Sequence, residues 1–257
     1  MSSFVILTGL ALVNRRFRSI VRAGFSRRLA PRIAAAAALV TVNWSSYVWA
    51  VAHDHVIETA LGYFMAPLLT MWLGVAVLKE KLNNAQRTTI GLAVVAIAVL
   101  TIGYGRVPVI ALLIAASWAL YGLLKRQVPM SSLDSLTAEM MWLVAPALVL
   151  AFAQSGRSDS VTQTADALHV ILVVLTGLIT VVPLWMFGFA AQRVPLTVLG
   201  PLQYSVPTIN FLLGWLAYNE SLDGTKVVGF AFVWVALAVL GVDTYRRSVS
   251  STGLYKR

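Results

Sequence analysis

Leu61–Leu82, LGYFMAPLLTMWLGVAVLKEKL, carries a skeleton that returns later in the chain. Pro67, Gly74, Glu80 and Leu82 recur 140 positions on as Pro207, Gly214, Glu220 and Leu222. Three of these four residue types are ones an apolar segment carries least often by chance, so the coincidence reads as an internal repeat. As a helix, the first copy sets Tyr63, Pro67, Thr70 and Gly74 on one stripe, and the second sets Gln203, Pro207, Asn210 and Gly214 at the same places. Polar, kink-forming and small residues thus share one face in both copies, as in a helix that lines a cavity or makes a tight contact.

Around this stretch the composition is that of a polytopic membrane protein. Of 257 residues, 59% are hydrophobic and 12% charged, with a mean hydropathy of +0.80, against roughly 45–50% apolar and 25% charged in soluble domains. Spans of about 17 to 25 uncharged apolar residues suffice to cross the hydrocarbon. Eight are expected, at 33–52, 58–78, 88–104, 108–124, 135–153, 168–190, 196–218 and 225–243. Residues 1–13 form a ninth apolar piece, about 20 Å long as a helix and too short to cross alone. No basic flank precedes it, so it does not read as a cleavable signal peptide.

Basic residues orient the spans, because short loops rich in Lys and Arg stay cytoplasmic. With residues 14–32 inside and sides alternating, seventeen of the twenty Lys and Arg fall inside, and only Arg106, Arg157 and Lys226 fall outside. That bias predicts a cytoplasmic C-terminus and accounts for the net charge of +10 without nucleic acid. A basic amphipathic helix on anionic lipid is a second reading of residues 14–32 that fits the same topology. The span 58–78 then runs outward to inward and its echo 196–218 the reverse. Inverted duplication of this kind recurs among secondary transporters. The offset also pairs 168–190 with 33–52, 225–243 with 88–104 and 135–153 with residues 1–13. The counterpart of 108–124 falls before Met1, so the expectation is a five-plus-five plan whose first helix is missing.

Candidate solute contacts follow from polar and aromatic groups at mid-depth. The span 33–52 offers Asn43, Trp44 and Tyr47, an amide beside aromatics that suits hydrogen bonding and stacking of an organic solute. Tyr63, Trp185, Gln203, Tyr204 and Asn210 complete the expected solute set, since an amide in lipid needs a partner. Pro67, Pro183 and Pro207 are expected kinks, each removing one backbone hydrogen bond. Trp49 reads as an interfacial anchor. Trp118 and Tyr121 face either the interior or lipid headgroups. Glu58 and Glu139, near span ends, read as solvated helix termini; either is a candidate for proton coupling if burial raises its pKa. Glu80 and Glu220 are expected to meet the N-termini of the spans that follow them, with Asn84 and Asp223 as caps.

Other chemistry is thinly represented. There is no cysteine, and His53 and His55 beside Asp54 lack a third nitrogen or sulfur ligand nearby, so they read as a loop and no metal site is expected. No G-x-x-x-x-G-K-[ST], H-E-x-x-H or G-x-S-x-G occurs. No enzyme activity and no cofactor are expected.

The run Asn43–Gln86, NWSSYVWAVAHDHVIETALGYFMAPLLTMWLGVAVLKEKLNNAQ, resembles the RarD-type branch of the EamA transporters in the drug/metabolite transporter superfamily. Residues 182–243, including VPLWMFGFAAQRVPLTVLGPLQYSVPTINFLL, are similar to its distal half. The resemblance implies an all-α polytopic membrane protein with inverted five-helix repeats, a ten-helix plan of which about nine membrane segments stand here. Residues 1–104 would form the N-terminal repeat without its first helix. Residues 105–134 would be the first helix of the second repeat with a cytoplasmic loop, 135–245 its remainder and 246–257 a cytoplasmic tail. It further implies a multi-pass transporter of the bacterial plasma membrane, linked by name to chloramphenicol sensitivity. Such a protein would move small organic metabolites or drugs by alternating access. Its partners would be a small organic solute, membrane lipid and, in one assembly, a second copy as homodimer, with no nucleic acid. The alternative function is a non-transporting membrane protein that binds a partner or assists assembly.

Overall fold

The structure, a computed structural model, describes residues 2–53, 55–104, 107–154 and 167–206, with isolated positions from Thr208 to Asp243. Every regular element among them is an α-helix. In chain order these are α1 (Ser2–Val13), α2 (Phe17–Gly24), α3 (Ala30–Ala52), α4 (Val56–Ala76), α5 (Asn84–Tyr104), α6 (Val109–Gln127), α7 (Ser132–Gln154), α8 (Ala167–Arg193) and α9 (Leu196–Leu202). Apolar segments of this length become helices because hydrocarbon offers the backbone no partner, so each N–H and C=O must be satisfied within its own segment. Among the described residues five helices are long and apolar enough to cross a membrane: Ala30–Ala52, Glu58–Ala76, Val109–Gln127, Ser132–Ala153 and Val174–Arg193. They match five of the expected spans, and α5 covers the expected 88–104. The expected spans 196–218 and 225–243 are described in part, the first through Val206 with isolated positions beyond it and the second at isolated positions. Ile179 and Met186 on α8 are 68% and 60% exposed, a surface suited to lipid.

The chain forms two compact units, Met1–Leu39 with Leu124–Arg193 and Val40–Leu123 with Val194–Arg257. In the first, α1 packs on α7 and α8. Gly177 permits the close approach of α8, since a Cβ there would lie 2.8 Å from the Ser3 nitrogen. Helix α2 lies on α7, where a Cβ on Gly24 would meet Ala138 Cβ at 2.9 Å. Phe25 stacks on Trp142 with centroids 4.9 Å apart, and the indole N–H donates to the Gly24 carbonyl at 3.3 Å. Ala11, Ile20, Ile33, Val128 and Ala138 form the buried apolar cluster beneath.

In the second unit α4 packs on α9, the start of the echo of its own repeat. Their contacts form a ladder of opposite sense. Leu196 Cβ faces Gly74, Gly200 faces Met71 and the Pro67 carbonyl, and the Tyr204 ring lies 6.3 Å from that of Phe64. Numbers rise along α9 as they fall along α4, so the two segments run antiparallel, as the loop charges predict. The crossing is backbone on backbone: a Cβ on Gly200 would stand 2.7 Å from the Pro67 oxygen. Pro67 is buried inside α4, so the Pro67–Gly74 part of the stripe is a tight helix contact.

Glu80 serves the N-terminus of α9 rather than that of α5. Lys79 adopts φ 57, the Glu80 N–H returns to the Gly74 carbonyl at 3.0 Å, and the reversed chain carries the carboxylate across to α9. Its oxygens accept from the Leu196 and Thr197 N–H groups at 3.0 and 2.9 Å, where the helix dipole favours negative charge. Helix α5 is capped instead by Asn83 and Gln86 in a reciprocal box, with side chains on each other's N–H at 2.7 and 2.9 Å. Asn83 is therefore the cap where Asn84 was expected, and its amide also donates to Asp243 at 2.9 Å. Glu220 and Asp223 lie outside the described residues.

Gly200→Val is expected to lower stability by about 1–3 kcal/mol through overpacking at the crossing, read as earlier thermal unfolding in detergent. Gly91→Val, at a position with nothing within 4 Å of an added Cβ, is expected to leave the melt no lower.

Candidate functional site

Helix α9 loses its regular hydrogen bonding just beyond the crossing. The Gln203 and Tyr204 N–H groups bond three residues back, to Gly200 and Pro201, each at 3.0 Å. The Gln203 carbonyl in turn accepts the Val206 N–H, again over three residues, at 3.1 Å. Short interruptions of this type mark hinges and solute sites in membrane helices. Here the interruption carries two polar side chains. Gln203 Oε1 accepts the Trp118 indole N–H from α6 at 2.8 Å, while Gln203 Nε2 is buried with no partner among the described residues. Tyr204 is fully buried beside Phe64 and Ala93, and its hydroxyl likewise has no partner among the described residues. Buried donors left open are costly, and each could be met by the acceptor of a solute or by a water.

The remaining candidates of this unit take different positions. Asn43 is buried, and its amide donates to the Ile114 carbonyl at 2.9 Å and Ser117 Oγ at 3.1 Å, joining α3 to α6. Tyr47 and Tyr63 meet edge to face at 6.1 Å, so α3 and α4 share an aromatic contact. Trp44 is about half exposed on α3. Trp118 and Tyr121, left open between interior and headgroups, are resolved: Tyr121 is fully buried and Trp118 holds Gln203. Trp118 belongs with the site, and the only signal in the sequence was its i, i+3 pairing with another aromatic. Asn210 and Pro207 lie outside the described residues. Trp49 stacks on both His53 and His55, at 4.4 and 5.5 Å.

The two acids are buried rather than solvated, and each has a positive partner. Glu58 accepts the Ile110 N–H at the start of α6 at 3.1 Å and lies 3.5 Å from His55 Nδ1. In the first unit Glu139 is fully buried and bonded to Lys125 Nζ at 2.8 Å, with Ser135 donating to the same carboxylate oxygen at 2.8 Å. Gly188 lets α8 pass over this pair, since a Cβ there would lie 2.7 Å from Lys125 Cε. Burial near a span end became tolerable because a helix N-terminus or an ammonium compensates the charge. Trp185 and Pro183 lie on α8 of this unit. Both side chains are exposed, and the Trp185 carbonyl accepts from Ser132 at 2.9 Å.

The profile of the EamA-like transporter family matches residues 106–242. Protein RarD of Streptomyces exfoliatus is 42% identical over 243 residues, which cover 92% of this chain and 77% of the relative. An uncharacterized transporter of Pseudomonas aeruginosa is 38% identical, with coverage of 83% and 72%. A protein crystal structure shares the fold at a TM-score of 0.66 and 17% identity, covering 94% of this chain and 84% of that one.

Trp118→Phe and Gln203→Leu are each expected to lower stability by about 0.5–2 kcal/mol. The double variant should lose less than the sum, because both remove the same bond. Equilibrium unfolding in detergent measures the cycle.

Proposed function

The chain belongs to the EamA-like transporter family, and from that premise we propose that it is a secondary transporter of small organic solutes that present hydrogen-bond acceptors. The observation that carries this reading is the pair of open buried donors, Gln203 Nε2 and Tyr204 Oη, on a helix interrupted at those two residues. Trp118 orients the Gln203 amide by holding its oxygen, which leaves the nitrogen for the solute. Trp44, Tyr47 and Tyr63 are the aromatic surfaces of this unit available for stacking, and Asn210 is a further amide on the same repeated stripe. Asn43 fixes α3 against α6 in this scheme.

Alternating access would work between the inverted repeats 1–104 and 105–245, with Pro67, Pro183 and Pro207 as kinks. The antiparallel ladder of α4 and α9 supports an inverted duplication, the plan on which such rocking is built. The arginines of residues 14–32 and the basic tail would face the cytoplasm of a bacterial cell. Glu58 and Glu139 would carry a coupling proton only if their present partners release them during the cycle.

Tyr204→Phe separates function from packing, because the hydroxyl it deletes supports no bond among the described residues. The variant is expected to melt no lower than the parent. Its flux in proteoliposomes, assayed with amphenicols and aromatic metabolites, should fall about tenfold or more for the transported solute, the loss of a buried polar contact. Undiminished flux in Tyr204→Phe combined with Gln203→Leu would remove these residues from the solute path.

A further inference from the structure

Helix α1 ends abruptly. Asn14 Nδ2 donates to the Leu10 carbonyl at 2.9 Å, Arg15 takes φ 55, and the Arg16 N–H returns to Ala11 at 2.9 Å. The chain therefore turns sharply into α2, FRSIVRAG, which buries Ile20 and Gly24 and exposes Arg18 and Arg22. Residues 14–32 hold seven arginines and no acid. Arg16 pairs with Asp134 at 2.7 Å. Arg15, Arg18, Arg22, Arg27, Arg28 and Arg32 are exposed, with no ion pair among the described residues.

Beside this basic surface lies a cleft of about 320 Å³ between α1, α2 and α7. Leu7, Leu10, Ile20 and Leu133 give it an apolar wall, and Asn14, Arg16, Thr137 and the Asp134 carboxylate a polar edge. Asp134 occupies one guanidinium nitrogen of Arg16, whose planar fork keeps further N–H donors. A small soluble anion would satisfy the cations and leave the apolar wall unfilled. An amphiphile satisfies both. We infer that the α1–α2–α7 corner seats an anionic phospholipid, its phosphate among the arginines of residues 14–32 and part of its tail in the cleft. Basic interfacial helices draw anionic lipid by the same combination of apolar burial and surface charge. The inference does not depend on transport, only on the chain being embedded in a membrane.

Native mass spectrometry of the full chain, titrated in neutral detergent with phosphatidylglycerol or phosphatidylcholine, tests it. Phosphatidylglycerol should be retained at about tenfold lower lipid concentration. Arg18→Gln/Arg22→Gln/Arg27→Gln/Arg28→Gln should abolish the difference; should that variant elute or melt abnormally, the loop pair Arg27→Gln/Arg28→Gln takes its place and should reduce it. Leu10→Trp, which fills the cleft and leaves every arginine, should remove one retained phosphatidylglycerol. Glycerol 3-phosphate, with the charge and no tail, should not displace it. Equal retention of both lipids, a preference that survives arginine replacement, an unchanged adduct count in Leu10→Trp, or displacement by glycerol 3-phosphate would each overturn the lipid seat.

Discussion

The antiparallel crossing of α4 and α9 is the contact on which the second unit depends. It needs three things at once: no side chain at Gly200, a carbonyl surface at Pro67, and compensation of the α9 N-terminus. Glu80 meets the last requirement from the turn that follows α4, so a helix and its exit turn supply the groove and the cap of the other. In hydrocarbon no hydrophobic force drives helices together, and close backbone approach with satisfied polar ends must do it. The interruption at Gln203 and Tyr204 follows directly beyond this contact, so the packing that secures α9 also fixes where its open donors stand.

The repeat made much of this legible. Pro67 and Gly74 fall on one stripe by spacing alone, and the antiparallel sense follows from the charge of the loops. The long apolar helices were equally plain, because a stretch that must satisfy its own backbone has one available conformation. What spacing cannot state is the partner. The stripe could have lined a cavity as well as made a contact, and only α9, more than a hundred residues away, decided it, with Gly200 against Pro67 and Leu196 against Gly74. Glu80 was assigned to the nearest helix in sequence because the left-handed turn at Lys79, a residue with no particular liking for positive φ, left no mark in the sequence. Trp118 stands open between interior and headgroups in the sequence for the same reason: its indole is defined by Gln203, 85 positions on.

Satisfaction of polar groups separates structural from functional candidates more sharply than their depth does. Asn43, Glu58, Glu80 and Glu139 all sit where desolvation is expensive, and each has protein partners at hydrogen-bonding distance. Lys125 and Glu139 share Ser135 as a third member, which spreads the charge over a small closed network. Such groups hold helices in register, and a passing solute would have to break bonds already made. Gln203 and Tyr204 differ because their unmet donors stand in an apolar setting with nothing among the described residues to lose. A solute acceptor arriving there gains a bond without displacing one. Binding energy is available only where the protein has not already used it, and among the candidate solute and proton residues described that condition is met by Gln203 and Tyr204 and not by the charged pairs.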